Sequence, residues 1–203
     1  MNKYALVPLL SALVVAAAYG QLPSPSNLLS ELRKGGYILY VRHPQTNPDQ
    51  SDTDPLHLDN IKAQRQLSAQ GRQQAKTIGE AFRAQKIPVE KVISSKFYRA
   101  YEAAKLLDVG EVTTTLDVSE GGLVVSPNEN ERRAKALRQL LATPPPRGMN
   151  LIIVSHKPNL LDAAGKDLWE VGEAGVVVFQ PIADGKFKVV ARVAPSEWAK
   201  WAK

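Results

Sequence analysis

Cysteine is absent from the sequence. That excludes a disulfide framework, a thiolate nucleophile, a Cys-ligated zinc and a lipidated N-terminal Cys. Histidine is scarce: His43, His57 and His156 are the only three, so any imidazole chemistry must use them. No Gly-x-x-x-x-Gly-Lys loop and no dinucleotide fingerprint occurs. No Gly-x-Ser-x-Gly elbow surrounds Ser94 or Ser95, so these read as strand-end and loop hydrogen-bonding residues rather than nucleophiles. An excess of one charge is nearly missing too. The 26 Lys+Arg against 20 Asp+Glu leave a net +6, which favours anionic ligands mildly and is too small to argue for a nucleic-acid partner. What remains is 203 residues with 44% hydrophobic and 23% charged content, which suits one globular domain and excludes a wholly disordered, collagenous or multi-span chain.

The one long apolar run lies at the start. Lys3 precedes Ala5 to Ala18, a stretch of Ala, Val and Leu shorter than the roughly 20 residues needed to span a bilayer. Met1 to Tyr19 therefore reads as a secretory signal peptide, with cleavage expected after Gly20 at the small residues Ala18 and Gly20. The other reading is a retained signal anchor. Cleavage leaves residues 21–203 as the domain, with no stable membrane insertion, in the periplasm or outside the cell.

Beyond Gln21 the pattern alternates helix and strand. Helices are predicted over Asn27–Lys34, from Ser68 as N-cap to about Lys86, over Phe97–Leu107, over Asn128–Leu141 and over Pro158–Gly165, with a last helical turn at Ser196–Trp201. Strands are predicted over Gly36–Val41, Lys91–Ser95, Val112–Val118 and Asn150–Ser155. Gly175–Gln180 and Lys186–Val193 read as a closing pair around Asp184-Gly185. The pattern argues for a single three-layer α/β/α domain with a mainly parallel central sheet. Pro44–Asn60 reads as a surface loop, Arg132, Arg133, Lys135 and Arg138 as a solvated basic helix face, and Trp169, Trp198 and Trp201 as packing residues. His57 with Asp52, Asp54 and Asp59 lacks tight ligand spacing, so no metal site is expected there.

Ligands of such sheets bind where loops leave the carboxyl ends of strands. Arg42-His43 follows the first strand, Arg99 opens the helix after the second, and Ser155-His156 follows the fourth. Two imidazoles and two guanidiniums at one edge make a cationic pocket suited to a phosphoryl group. A neutral imidazole can attack phosphorus through one nitrogen while the other is held by an acceptor. A second, protonated one can stabilise the transferring oxygens.

At this point the chain resembles the histidine phosphatase superfamily, whose fold is phosphoglycerate mutase-like. The family's Arg-His-Gly-x-Thr corresponds to Arg42-His43-Pro44-Gln45-Thr46. Its Leu-Ser and following Gly correspond to Leu67-Ser68 and Gly71. Its Ser-Ser-x-x-x-Arg-Ala corresponds to Ser94-Ser95-Lys96-Phe97-Tyr98-Arg99-Ala100, and its late-strand His to His156. The resemblance implies that His43 is the phosphorylated nucleophile and that Arg42, Arg99 and His156 hold the phosphoryl group. It also implies a general acid after the third strand, which is Glu120 here, with Asp117 as the substitute. Some small members dispense with that acid and act on phosphohistidine. Two positions depart from the family. Pro44 replaces Gly, and Asp49 stands where an Asn is common, with Asn47 out of register. A site distorted by Pro44 is the expectation if the backbone there needs φ > 0.

The expected activity is phosphomonoester hydrolysis through a phosphohistidine on His43, on a small phosphorylated substrate, with no metal or organic cofactor. The alternative from a different class is a non-catalytic phosphate- or sugar-phosphate-binding protein on the same fold. A mutase and an exported protein-phosphohistidine phosphatase are the less favoured readings.

Overall fold

The computed structural model describes residues 25–121 and 124–203. The expected signal segment, Met1 to Gly20, lies outside the described residues. The helices are α1 Pro25–Lys34, α2 Ala69–Ala84, α3 Tyr98–Leu107, α4 Pro127–Ala142, α5 Lys157–Ala164 and α6 Pro195–Trp201. The strands are β1 Ile38–Arg42, β2 Val89–Ser95, β3 Val112–Thr115, β4 Asn150–Ser155, β5 Val176–Ile182 and β6 Lys186–Val193. No helix among the described residues is long and apolar enough to cross a membrane.

The strands form one sheet in the order β3-β2-β4-β1-β5-β6. β3, β2, β4 and β1 run parallel, while β5 is antiparallel to β1 and β6 antiparallel to β5. The parallel part is joined by helical crossovers, which put helices on both faces. The antiparallel pair closes through a three-residue loop, Ala183 to Gly185, in which Asp184 and Gly185 lie at positive φ (61° and 63°).

Each central strand sends alternate side chains to opposite layers. Leu39 and Val41 of β1 join Ile78 and Phe82 of α2, Ala103 of α3 and Trp198 of α6 on one face. Ile38 and Tyr40 join Leu137 and Leu141 of α4 and Leu160 of α5 on the other. β4 is buried along its whole length. This is the expected three-layer α/β/α arrangement.

Three local expectations need correction. The third strand stops at Thr115, because the Thr115 hydroxyl accepts the Asp117 N–H (3.1 Å) and turns Leu116–Val118 into a 3-10 turn. Arg133 is not part of a solvated face. It is buried, and its guanidinium donates to Ser119 O (3.1 Å) and Glu120 O (3.2 Å). Trp198 and Trp201 pack as expected, but Trp169 is 68% exposed, with the Lys157 ammonium 4.7 Å above its ring.

Candidate active site

The carboxyl ends of β1 and β4 carry the two imidazoles. His43 N–H donates to Ser155 O (2.8 Å), which extends the ladder by one residue and fixes where His43 leaves the sheet. Both rings are buried, with centroids 5.2 Å apart and planes at 61°. His43 Nδ1 lies 2.9 Å from Pro44 O. A carbonyl only accepts, so in the neutral ring Nδ1 carries the proton and Nε2 is the free nucleophilic nitrogen. The backbone at Pro44 is not at positive φ, and proline's carbonyl is aimed at the ring.

The tautomer of His156 follows from a chain of hydroxyls. Ser119 Oγ donates to Thr115 O (2.8 Å), and Ser95 Oγ donates to Ser119 Oγ (3.1 Å). Ser95 Oγ is left to accept, from Phe97 N–H (3.1 Å) and from His156 Nε2–H (2.7 Å). His156 Nδ1 is then the bare nitrogen. It is buried without a hydrogen-bond partner and stands 3.4 Å from Glu120 Oε1. The paired serines thus act as the sequence suggests, as loop hydrogen-bonding residues, and one of them aims an imidazole.

Both imidazoles are held well below the ordinary histidine range. Burial is the main cause for each. His156 also depresses His43, whereas Arg99, Arg65 and Arg42 depress His156. Both are therefore held neutral at neutral pH, the form in which an imidazole can act as a nucleophile.

Arg99 is fully buried at the start of α3, with its guanidinium 4.4 Å over the Phe97 ring. One end donates to Asp52 Oδ1 (3.1 Å) and the other to Glu120. Arg42 is half-buried and donates to Val171 O (2.9 Å). The Nε atoms of Arg42 and Arg99 are buried with no partner. His43, Arg42, Arg99, His156 and Glu120 are thus brought together. The substitute acid Asp117 is not, since its carboxylate is half-exposed and pairs with Arg132 at 2.6 Å. Asp49 is exposed, and Asn47 is tied to Gln50 (3.2 Å). His57 pairs with Asp54 (2.7 Å) on the surface.

Two residues join the site without having been singled out for it. Asp52 reaches in from the Pro44–Asn60 loop. Its Oδ1 also accepts the Arg65 backbone N–H (2.9 Å), and the Arg65 charge is near enough to lower the proton affinity of His156. Arg65 Nε is buried and unpartnered. Its position next to the Leu67-Ser68 block was the only sequence signal available.

Residues 38–120 match the model of the histidine phosphatase superfamily (branch 1). A search of curated proteins gives no match. Several solved structures share the fold. The protein histidine phosphatase SixA complexed with tungstate is 16% identical, with a TM-score of 0.54 over 79% of this chain and 97% of that one. The mycobacterial glucosyl-3-phosphoglycerate phosphatase complexed with VO3 is 15% identical, with a TM-score of 0.56 over 77% and 98%. The phosphoserine phosphatase of Entamoeba histolytica in complex with 3-phosphoglyceric acid is 14% identical, with a TM-score of 0.56 over 80% and 98%. The family-model match thus runs from β1 to Glu120, and the solved structures share the fold.

Proposed function

We propose, on the premise that this chain is a histidine phosphatase superfamily member, that it hydrolyses phosphomonoesters through a phosphohistidine on His43. The observation that carries the reading is the fixed tautomer of His43, whose Nε2 is left bare beside buried guanidinium and imidazole groups. The phosphoryl group takes the place that Glu120 and Asp52 occupy at Arg99. Arg42, Arg99 and Arg65 supply charged donors to its oxygens, each such bond being worth roughly 1.5–3 kcal/mol net. The bound dianion also offsets the positive field that adds to burial in holding His156 neutral, and its own charge favours the imidazolium. His156 then takes up a proton at Nδ1 and donates it to a phosphoryl oxygen, while Ser95 keeps the ring in place.

In the first step His43 Nε2 forms a bond to phosphorus and the ester oxygen leaves with the P–O electron pair. Glu120, as the carboxylic acid, gives that oxygen its proton, which accelerates departure by about 10²–10⁴. In the second step the Glu120 carboxylate removes a proton from water and the oxygen attacks phosphorus. The P–N bond then breaks, which returns neutral His43 and releases inorganic phosphate. No step calls on a metal or organic cofactor. The apolar segment Met1 to Tyr19 supports action in the periplasm or outside the cell.

The test is hydrolysis of an aryl phosphate from pH 4 to 8, with and without EDTA, by the wild type and His43→Ala. EDTA-resistant turnover that the substitution removes, with an acid-labile phosphoryl group on His43 in quenched wild-type protein, is the expected result. Saturable phosphate binding by folded wild type with no turnover overturns it in favour of a non-catalytic phosphate-binding protein.

A further inference from the structure

Glu120, Asp52 and Phe97 belong to the phosphoryl site and also to the wall of an adjoining cavity of about 340 Å³. That volume lies in the range of small-molecule sites. Most of the remaining wall is apolar: Pro55, Leu56, Leu58, Leu116, Val124 and Val125. Three of these are large side chains left in water, with Leu56 69%, Val124 44% and Leu116 37% exposed. A single exposed Leu carries no message, but several around one opening beside a reaction centre do. The one cation of that wall, Arg133, is already engaged by Ser119 O, Glu120 O and Glu129. Among the described residues, therefore, this wall presents carboxylates and hydrocarbon and no free positive group.

The cavity opens on the Glu120 side of the cluster, where the reading above places the departing oxygen. We infer that this pocket receives the leaving group, and that the protein's substrates are phosphomonoesters of apolar alcohols or phenols rather than of polyols or hydroxy acids. A leaving group that carries a carboxylate meets Asp52 and Glu120 with nothing to pair it. An alkyl or aryl group buries its surface against Leu56, Leu116 and Val124. This rests on the phosphatase reading for its chemistry, but the pocket's preference can be measured without turnover.

Binding of ethylphosphonate and hexylphosphonate, which cannot be hydrolysed, is measured by calorimetry below their aggregation limits. Wild type, Leu56→Ser and Leu116→Ser are compared, and hydrolysis of ethyl and hexyl phosphate is followed in parallel. A fully buried methylene contributes about fourfold. Four partly buried ones are expected to give hexylphosphonate at least a tenfold advantage, and each serine variant is expected to narrow that ratio about threefold or more. A smaller advantage, or one that both variants leave unchanged, overturns the inference even if hydrolysis proceeds. A tenfold advantage without turnover of either ester upholds the pocket's ligand class and sinks the catalytic reading alone.

Discussion

At the residue scale His43, His156 and Arg99 were legible because each stands just beyond a strand or opens a helix, and Arg42 because it ends β1. Chain order alone put His43, Arg99 and His156 at one sheet edge. Asp52 and Arg65 were not legible, because they come from a polar loop whose path has no periodicity to read. Asp52 looked like one solvated carboxylate among several until its contact with Arg99 showed otherwise. Arg65 gives the first prediction. Arg65→Ala removes one charged donor and is expected to lower kcat/KM about 10- to 100-fold and to weaken tungstate inhibition to a similar degree. Inhibition that stays unchanged would place Arg65 outside the phosphoryl pocket. Pro44 gives the second. The needed group is its carbonyl, so Pro44→Gly is expected to keep kcat within about threefold. It should cost about 0.4–1 kcal/mol of stability through a freer unfolded chain, as read by urea denaturation.

At the scale of elements, helix α2 shows what the Leu67-Ser68 and Gly71 block accomplishes. Ser68 caps the helix through the Gly71 N–H (3.0 Å), and its own N–H donates to Gln45 O (2.9 Å). A Cβ on Gly71 would collide with that same carbonyl. The glycine is thus needed for the close approach of a helix end to the backbone two residues past His43. Gly71→Ala is expected to destabilise the fold by about 1–3 kcal/mol and to lower kcat, as checked by denaturant titration alongside turnover. Wild-type stability would show that the helix end can shift freely. The Ser95–Ser119–Thr115 chain depends on β2 and the turn after β3 lying side by side. Ser95→Ala is therefore expected to lower kcat by releasing His156 while leaving the aryl phosphate KM within a fewfold. Sequence alone could pair the serines with a loop but not with His156, because that hydrogen bond spans 61 positions. The early end of β3 escaped for a related reason, since a threonine hydroxyl there outcompetes the ladder.

At the scale of the whole molecule, the two buried imidazoles make stability depend on pH. Each has a folded-state affinity for protons well below the unfolded value of about 6.5. As pH falls below that value, the unfolded chain takes up protons that the folded one refuses, so stability is lost toward acid. The slope approaches about 1.4 kcal/mol per pH unit for each group. The exposed His57 acts in the opposite sense, since Asp54 raises its affinity, but solvent screens that pair. The urea midpoint is expected to fall between pH 7 and 5, and His43→Asn is expected to flatten the fall. An equal slope in the variant would contradict the assignment. The layer order and the mixed sheet followed from hydrophobic runs and crossover spacing, whereas the engagement of Arg133 required knowing which face of α4 meets the turn after β3. One consequence concerns distance itself. β1 and β4 are ladder partners, with Arg42 opposite Ser155, so His43 and His156 leave the sheet at matched positions. Their 5.2 Å separation is close to the 4.7–4.9 Å between any two neighbouring strands. The starting positions of the two imidazoles are therefore set by peptide hydrogen bonding between β1 and β4. Drift in side-chain identity elsewhere can reshape the walls of the cavity and still leave those backbone positions untouched.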